Sequence, residues 1–141
     1  MNGKTQKVVI IGSGFGGLSA AIELGKHKRM HRKNQPDAHV DIIVIDKNDF
    51  QLFTPDLYEI ASASKDITDE KKLQETVCIN VRVGLGQQSV GYVQATVESV
   101  DPVAHIVHTS VGDQPYDYLV VAPGSEPFYF GIHLQSFFMV L

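Results

Sequence analysis

Lys7-Val8-Val9-Ile10-Ile11-Gly12-Ser13-Gly14-Phe15-Gly16-Gly17-Leu18-Ser19-Ala20-Ala21-Ile22-Glu23-Leu24 is the stretch on which the fold turns. Val8 to Ile11 form a short unbroken apolar run, which suits a strand buried on both faces in the middle of a parallel sheet. The run breaks into glycines, and Gly12, Gly14 and Gly17 have the G-x-G-x-x-G spacing of a dinucleotide-binding turn. Each glycine has a physical reason in such a turn. Gly12 makes the tight turn, Gly14 admits the pyrophosphate to the backbone, and Gly17 lets helix and strand pack closely. Leu18, Ala21, Ile22 and Gly25 then follow the three-and-four spacing of a buried helical face. Free N–H groups at the start of that helix would face the phosphates. The glycine spacing alone is a weak signal, and the strand before it and helix after it give it weight.

Downstream, Lys26-His27-Lys28-Arg29-Met30-His31-Arg32-Lys33 is strongly basic and Pro36 follows. Positive charge complements a helix C-terminus and proline marks the exit, so this run reads as a solvated helix end. Val40 to Ile45 is a second buried strand ending at Asp46. An acid at that point of a βαβ unit accepts hydrogen bonds from the adenosine ribose, and Lys47 stands beside it. The interval from Gly17 to Asp46 exceeds the usual spacing of about 20 residues, and the basic segment with its loop absorbs the excess.

Phe50 to Ala61 contains a capped helix start: Thr54 as N-cap, Pro55 at the first helical position, Asp56 in the first turn. Phe53, Leu57 and Ile60 could plug the core, or the helix start could face the cofactor; spacing does not separate the two. Ser62 to Glu75 is polar and reads as loop with some helix. Val77, Ile79, Val81 and Val83 alternate as in a strand, with Cys78 a packing residue among them. Val90 to Val100, Ala104 to Thr109 and Tyr116 to Val121 are three strand-like runs separated by Asp-Pro and Gly-Asp-Gln-Pro turns. Short turns imply antiparallel pairing, whereas a plain NAD-binding domain would place another helix crossover there. The apolar run Tyr118-Leu119-Val120-Val121 can rejoin the parallel sheet, and it ends in Ala122-Pro123-Gly124-Ser125. His105 and His108 have no third metal ligand nearby in the sequence, so a metal site is not expected.

The chain's 141 residues amount to one ordinary domain, and a 43% hydrophobic, 20% charged composition is that of a globular protein. A net charge of −4 gives no reason to expect nucleic acid as a partner. Cys78 is the single cysteine, so there is neither an internal disulfide nor a Cys-x-x-Cys pair. The N-terminus has no apolar signal region, and no apolar run approaches the roughly 18 residues of a membrane span. A cytoplasmic location is the expectation.

Together, Val8 to Leu24, Val44-Ile45-Asp46-Lys47, Leu52-Phe53-Thr54-Pro55-Asp56-Leu57-Tyr58, Ala95 to Pro102 and Tyr116 to Ser125 resemble the FAD-binding part of flavoproteins with two dinucleotide-binding domains. The likeness is to the single-subunit, non-proton-pumping (type II) NADH:quinone oxidoreductases, and Phe-Thr-Pro-x-x-Tyr is the piece that points past the broad superfamily. The resemblance implies an α/β fold: a Rossmann-like FAD-binding domain over residues 1–141, a parallel sheet with flanking helices plus a three-stranded antiparallel β-ribbon. It implies FAD as cofactor, NADH as co-substrate and a quinone as acceptor for the intact enzyme. Gly12, Ser13, Gly14, Phe15, Gly16 and Gly17 would hold the pyrophosphate, and Asp46 and Lys47 the adenosine ribose. Thr54 and Pro55 would approach the flavin, Val97 the adenine, and Ala122 and Gly124 would form a second flavin motif. That motif is usually Ala-Thr-Gly, and Pro123 here removes a hydroxyl and an N–H. The family continues with an NADH-binding domain and a C-terminal region that touches membrane and quinone. Neither is in this sequence, so the chain reads as an N-terminal portion, inactive alone. Its apolar end, Phe137 to Leu141, would lack its usual cover. The parent enzyme is expected at the inner face of the cell membrane, and a homodimer is compatible with the reading. A sulfide:quinone or ferredoxin-reductase-like flavoenzyme, and a nucleotide-binding module without turnover, stay open as alternatives.

Overall fold

The computed structural model describes residues 5–34, 39–52, 78–86 and 88–125. Thr54 and Pro55, the polar segment after them and the apolar C-terminal residues lie outside these. The element order is β1 (Gln6–Ile11), α1 (Phe15–Asn34), β2 (Val40–Asp46), β3 (Phe50–Leu52), β4 (Cys78–Asn80), α2 (Val81–Leu85), β5 (Gly91–Gln94), β6 (Val97–Asp101), β7 (Ile106–Thr109), β8 (Gln114–Pro115) and β9 (Tyr118–Val121). Four strands form a parallel sheet in the order β5-β2-β1-β9. The chain builds outward from β1 through β2 to β5, then returns to the other side of β1 as β9. That reversal beside β1 is the switch point where doubly wound sheets open a crevice at their carboxyl ends.

Each face of this sheet has its own cover. On one, Val8, Ile10, Ile42 and Val44 pack with Leu18 and Ala21 of α1 and Val81 and Leu85 of α2. On the other, Val9, Ile11 and Ile45 pack with Ala95 and Val107, the latter from an antiparallel sheet β6-β7-β8. Burial on both faces explains why the strand segments read as continuous apolar runs instead of alternating ones. The entry to β9 is fixed on β1: Asp117 N–H donates to the Lys7 carbonyl, and Lys7 N–H donates to Asp117 Oδ2, both at 2.8 Å.

Three expectations need correcting. Of the run expected as a strand from Val77 to Val83, the described part, Cys78 to Val83, is not one strand. The side chain of Asn80 accepts from the N–H groups of Arg82 (3.0 Å) and Val83 (3.3 Å), and this cap turns the chain from β4 into α2. Val90 to Val100 divides into β5, in the parallel sheet, and β6, in the antiparallel one; the corner at Ala95 and Thr96 is held by Ala95 N–H to the Asp46 carbonyl, 2.9 Å. The three-stranded antiparallel unit exists, but its third strand is Gln114–Pro115, because Tyr118–Val121 pairs parallel with β1. Cys78, expected among packing residues, is half-buried. The basic run lies within α1, where Lys26 pairs with Glu23 at 2.6 Å and Lys28 and Arg29 reach the Ser89 carbonyl and Gln88.

Candidate functional site

The carboxyl ends of β1 and β2 meet the glycine turn, the β5–β6 corner and Pro123 around an open cleft of about 250 Å³. Ile11, Ile45, Ala95, Val97 and Pro123 give it apolar walls; Gly12, Asp46, Lys47 and Thr96 complete it. The glycine turn beside it is built by contacts that only glycine permits. Gly12 has φ +95°, and a Cβ there would sit 2.1 Å from the Ala122 carbonyl oxygen. A Cβ on Gly17 would sit 1.9 Å from the carbonyl oxygen of Gly12, so α1 packs directly on the turn it leaves. Gly14 is different: a Cβ there would meet nothing within 4 Å. Its carbonyl accepts the first helical bond, from Leu18 N–H at 2.9 Å, and the first turn of α1 carries no acid. Among the described residues nothing explains why Gly14 has no side chain, and it stands beside the positive end of α1, the kind of place where anions bind.

Asp46, at the end of β2, faces this turn. Its Oδ2 accepts from Ser13 N–H at 2.6 Å and from Ser13 Oγ at 2.8 Å, and its Oδ1 accepts from Asn48 N–H at 2.9 Å. The turn after Asp46 is clamped from β5. Gln94 Nε2 donates to the Lys47 carbonyl at 3.3 Å, and the Tyr92 hydroxyl lies against the carbonyl oxygens of Asn48 and Asp46. Arg82 stands over the Tyr92 ring, 5.4 Å from its centre. Burial, then the negative charges of Asp46 and Asp49, push the Tyr92 phenol from the usual 10.0 up to about 12.

A raised tyrosine pKa favours the neutral, donating form. The Tyr92 contribution to stability is therefore fully present below pH 10 and is lost as pH rises from 10 to about 12. In a spectrophotometric titration the native protein should show a tyrosine step approaching pH 12, and Tyr92→Phe should abolish it. Superimposable curves above pH 10 for the two proteins would mean that the clamp does not exist in solution.

Of the residues read from sequence, Gly12, Ser13, Asp46, Lys47, Val97 and Ala122 come together at one end of the sheet. Ala122 N–H donates to the Ile11 carbonyl at 2.9 Å, and its Cβ lies 3.8 Å from where one on Gly16 would be. Gly124 follows at φ +72°, where a Cβ would meet no atom of the described residues within 4 Å. Phe15 stands half-exposed at the head of α1. Ser13 is the surprise, since it is 2% exposed and directs its side chain back to Asp46 and not outward. Tyr92, Gln94 and Thr96 were not anticipated. The alternation of Tyr92 and Gln94 in a short strand following Gly91 was the one available signal.

The pyridine nucleotide-disulphide oxidoreductase family model matches residues 6–138. The chain belongs to that family. It is 38% identical over 136 residues to the type II NADH:quinone oxidoreductase NdhA of Mycobacterium tuberculosis, covering 92% of this chain and 25% of that protein. It is 29% identical to a type II NADH:quinone oxidoreductase of Staphylococcus aureus, over 90% of this chain and 28% of that one. Among solved structures, the sulfide:quinone oxidoreductase of Aquifex aeolicus superposes with a TM-score of 0.66 at 28% identity, over 88% of this chain and 25% of the other. NDH2 from Plasmodium falciparum gives 0.65 at 21% identity, over 92% and 24%, which speaks for the fold alone. The chain thus spans about a quarter of the length of these relatives. No helix among the described residues is long and apolar enough to cross a membrane.

Proposed function

We propose that residues 1–141 are the FAD-binding portion of an oxidoreductase of the NADH:quinone type. The observation that carries this is the uncovered backbone at Gly14, set between an acid-free helix start and a cleft whose far wall is apolar and whose near wall is Asp46. These features fit a dinucleotide: pyrophosphate along Gly12 to Gly17, ribose at Asp46 with Lys47 beside it, adenine against Val97. Phe15 and Gly16 belong to the same turn. Ala122 and Gly124 would flank the flavin side, with Thr54 and Pro55 assigned there by resemblance. Hydride acceptance from NADH is the chemistry that a bound flavin supplies, and this chain's part is to bind and orient it. The 38% identity to NdhA supports NADH and quinone as substrates of the whole enzyme, which would act at the inner face of the cell membrane.

Fluorescence titration tests the reading. FAD should bind more tightly than NAD, because the chain places an antiparallel sheet where an NAD domain has a helix crossover. Tight NAD binding with no FAD binding would reject it. Asp46→Ala should weaken FAD by about 1–3 kcal/mol, the scale for hydrogen bonds to a charged acceptor, and leave riboflavin unaffected. It should also lower Tm, because the Ser13 N–H and hydroxyl lose their acceptor. Equal loss for FAD and riboflavin would point to a damaged fold.

A further inference from the structure

The Asp46 carboxylate is nearly saturated by its own protein. Two carboxylate oxygens offer about four acceptor positions. Ser13 fills both on Oδ2, with its N–H at 2.6 Å and its hydroxyl at 2.8 Å, and Asn48 N–H fills one on Oδ1 at 2.9 Å. Among the described residues no further donor reaches the carboxylate, which leaves one position, on Oδ1. We propose that Asp46 therefore receives one adenosine ribose hydroxyl and not both, and that Ser13 is the positioning residue that dictates which carboxylate oxygen is available.

The inference rests on the dinucleotide reading above. Ser13 cannot readily release Oδ2. Its amide is fixed in a turn bonded on either side, by Gly12 N–H to the Ile45 carbonyl at 2.8 Å and Leu18 N–H to the Gly14 carbonyl at 2.9 Å. Its hydroxyl is 2% exposed, so water is not there to replace Asp46, and a buried donor left without a partner is costly. Asn48 N–H, two residues beyond Asp46, is held in the turn that Tyr92 and Gln94 clamp from β5. The ligand class follows. The site accepts an adenosine diphosphate group with one particular ribose hydroxyl free, and tolerates loss of the other.

The test titrates the chain with ADP, 2′-deoxy-ADP and 3′-deoxy-ADP. One deoxy analogue should bind about tenfold or more weakly than ADP, as expected for a lost bond to a charged acceptor, and the other within about twofold. Equal, large losses for both analogues would overturn the inference, because both hydroxyls would then be read. No loss for either would overturn it too, because the ribose would not lie at Asp46. Ser13→Ala frees an acceptor on Oδ2, so the tolerated analogue should become several-fold weaker than ADP. An unchanged pattern in a Ser13→Ala protein with a normal melting curve would remove Ser13 from the role. The wild-type series stands whether or not the variant folds. If neither ADP nor FAD binds, the dinucleotide reading fails and takes this inference with it; if ADP binds without the expected asymmetry, only this inference fails.

Discussion

Gly14→Ala is expected to lower FAD affinity by about 100-fold, about 2.8 kcal/mol at 1.4 kcal/mol per tenfold, while leaving the fold intact. A methyl at this position touches no atom of the described residues within 4 Å, and its backbone is not in the left-handed region, so neither clash nor strain arises among them. Replacing glycine by alanine at a helix cap shifts stability by a few tenths of a kcal/mol up to about 1. The space that the methyl takes is the space a phosphate oxygen needs to reach the N–H groups at the head of α1. Thermal melting and FAD titration on the same sample check both halves. Normal FAD affinity in Gly14→Ala would mean that the pyrophosphate does not lie there.

Gly17→Ala should do the reverse and damage the fold first. Helix propensity favours alanine by about 1 kcal/mol in a helix interior. Against this, the new Cβ would sit 1.9 Å from the carbonyl oxygen of Gly12 and 2.9 Å from its carbonyl carbon, whereas real Cβ contacts essentially never fall below 3.0 Å. The obstacle is backbone, which cannot rotate aside as a side chain can. Helix α1 must back away from β1 by about 1 Å, loosening Leu18 and Ala21 in the core. Overpacking of this kind costs roughly 1–3 kcal/mol and occasionally more, so the clash outweighs the propensity. Because the obstacle is backbone, the clash falls at the upper end, about 3 kcal/mol; less the propensity gain of about 1 kcal/mol, a net loss of about 2 kcal/mol should lower Tm by roughly 5–10 °C. A Gly17→Ala protein as stable as wild type would show that α1 does not pack on the turn in solution.

The parts legible in the sequence were those whose cause is local. Val8 to Ile11 and Val40 to Ile45 announce buried parallel strands by composition, and Gly12, Gly14 and Gly17 announce the turn by spacing. The helix-and-sheet class followed from these, whereas the family rested on resemblance, with Phe53-Thr54-Pro55 and Tyr58 the piece that points past the broad superfamily. What escaped depends on partners far along the chain. Nothing near Ala95 or Thr96 marks a corner, since neither is glycine or proline, and the corner exists because Ala95 bonds to the carbonyl of Asp46. The alternation from Val77 to Val83 mimicked a strand because period-two apolarity over so short a run does not exclude a helix turn; Asn80, a good cap, was the overlooked cue. The Ser13–Asp46 contact joins residues 33 apart and has no sequence signature. The resemblance assigned Ser13 to the pyrophosphate, and in the structure its side chain turns inward to Asp46.

The place of β1 at the centre of the parallel sheet also sets a timetable for making the protein. Val8 aligns with Ile42 on one side and with Tyr118 on the other. Closing the second loop instead of the first costs about 1 kcal/mol more in chain entropy, so β1 and β2 join first and β9 docks last. At about 5–20 residues per second of synthesis, the ribosome needs roughly 4–15 s to travel from the end of β2 to the end of β9. For that interval the open edge of β1, along Val8 to Ile11, presents unpaired backbone N–H and C=O groups, a template on which another chain could pair. Tyr118 to Val121 close that edge once they emerge.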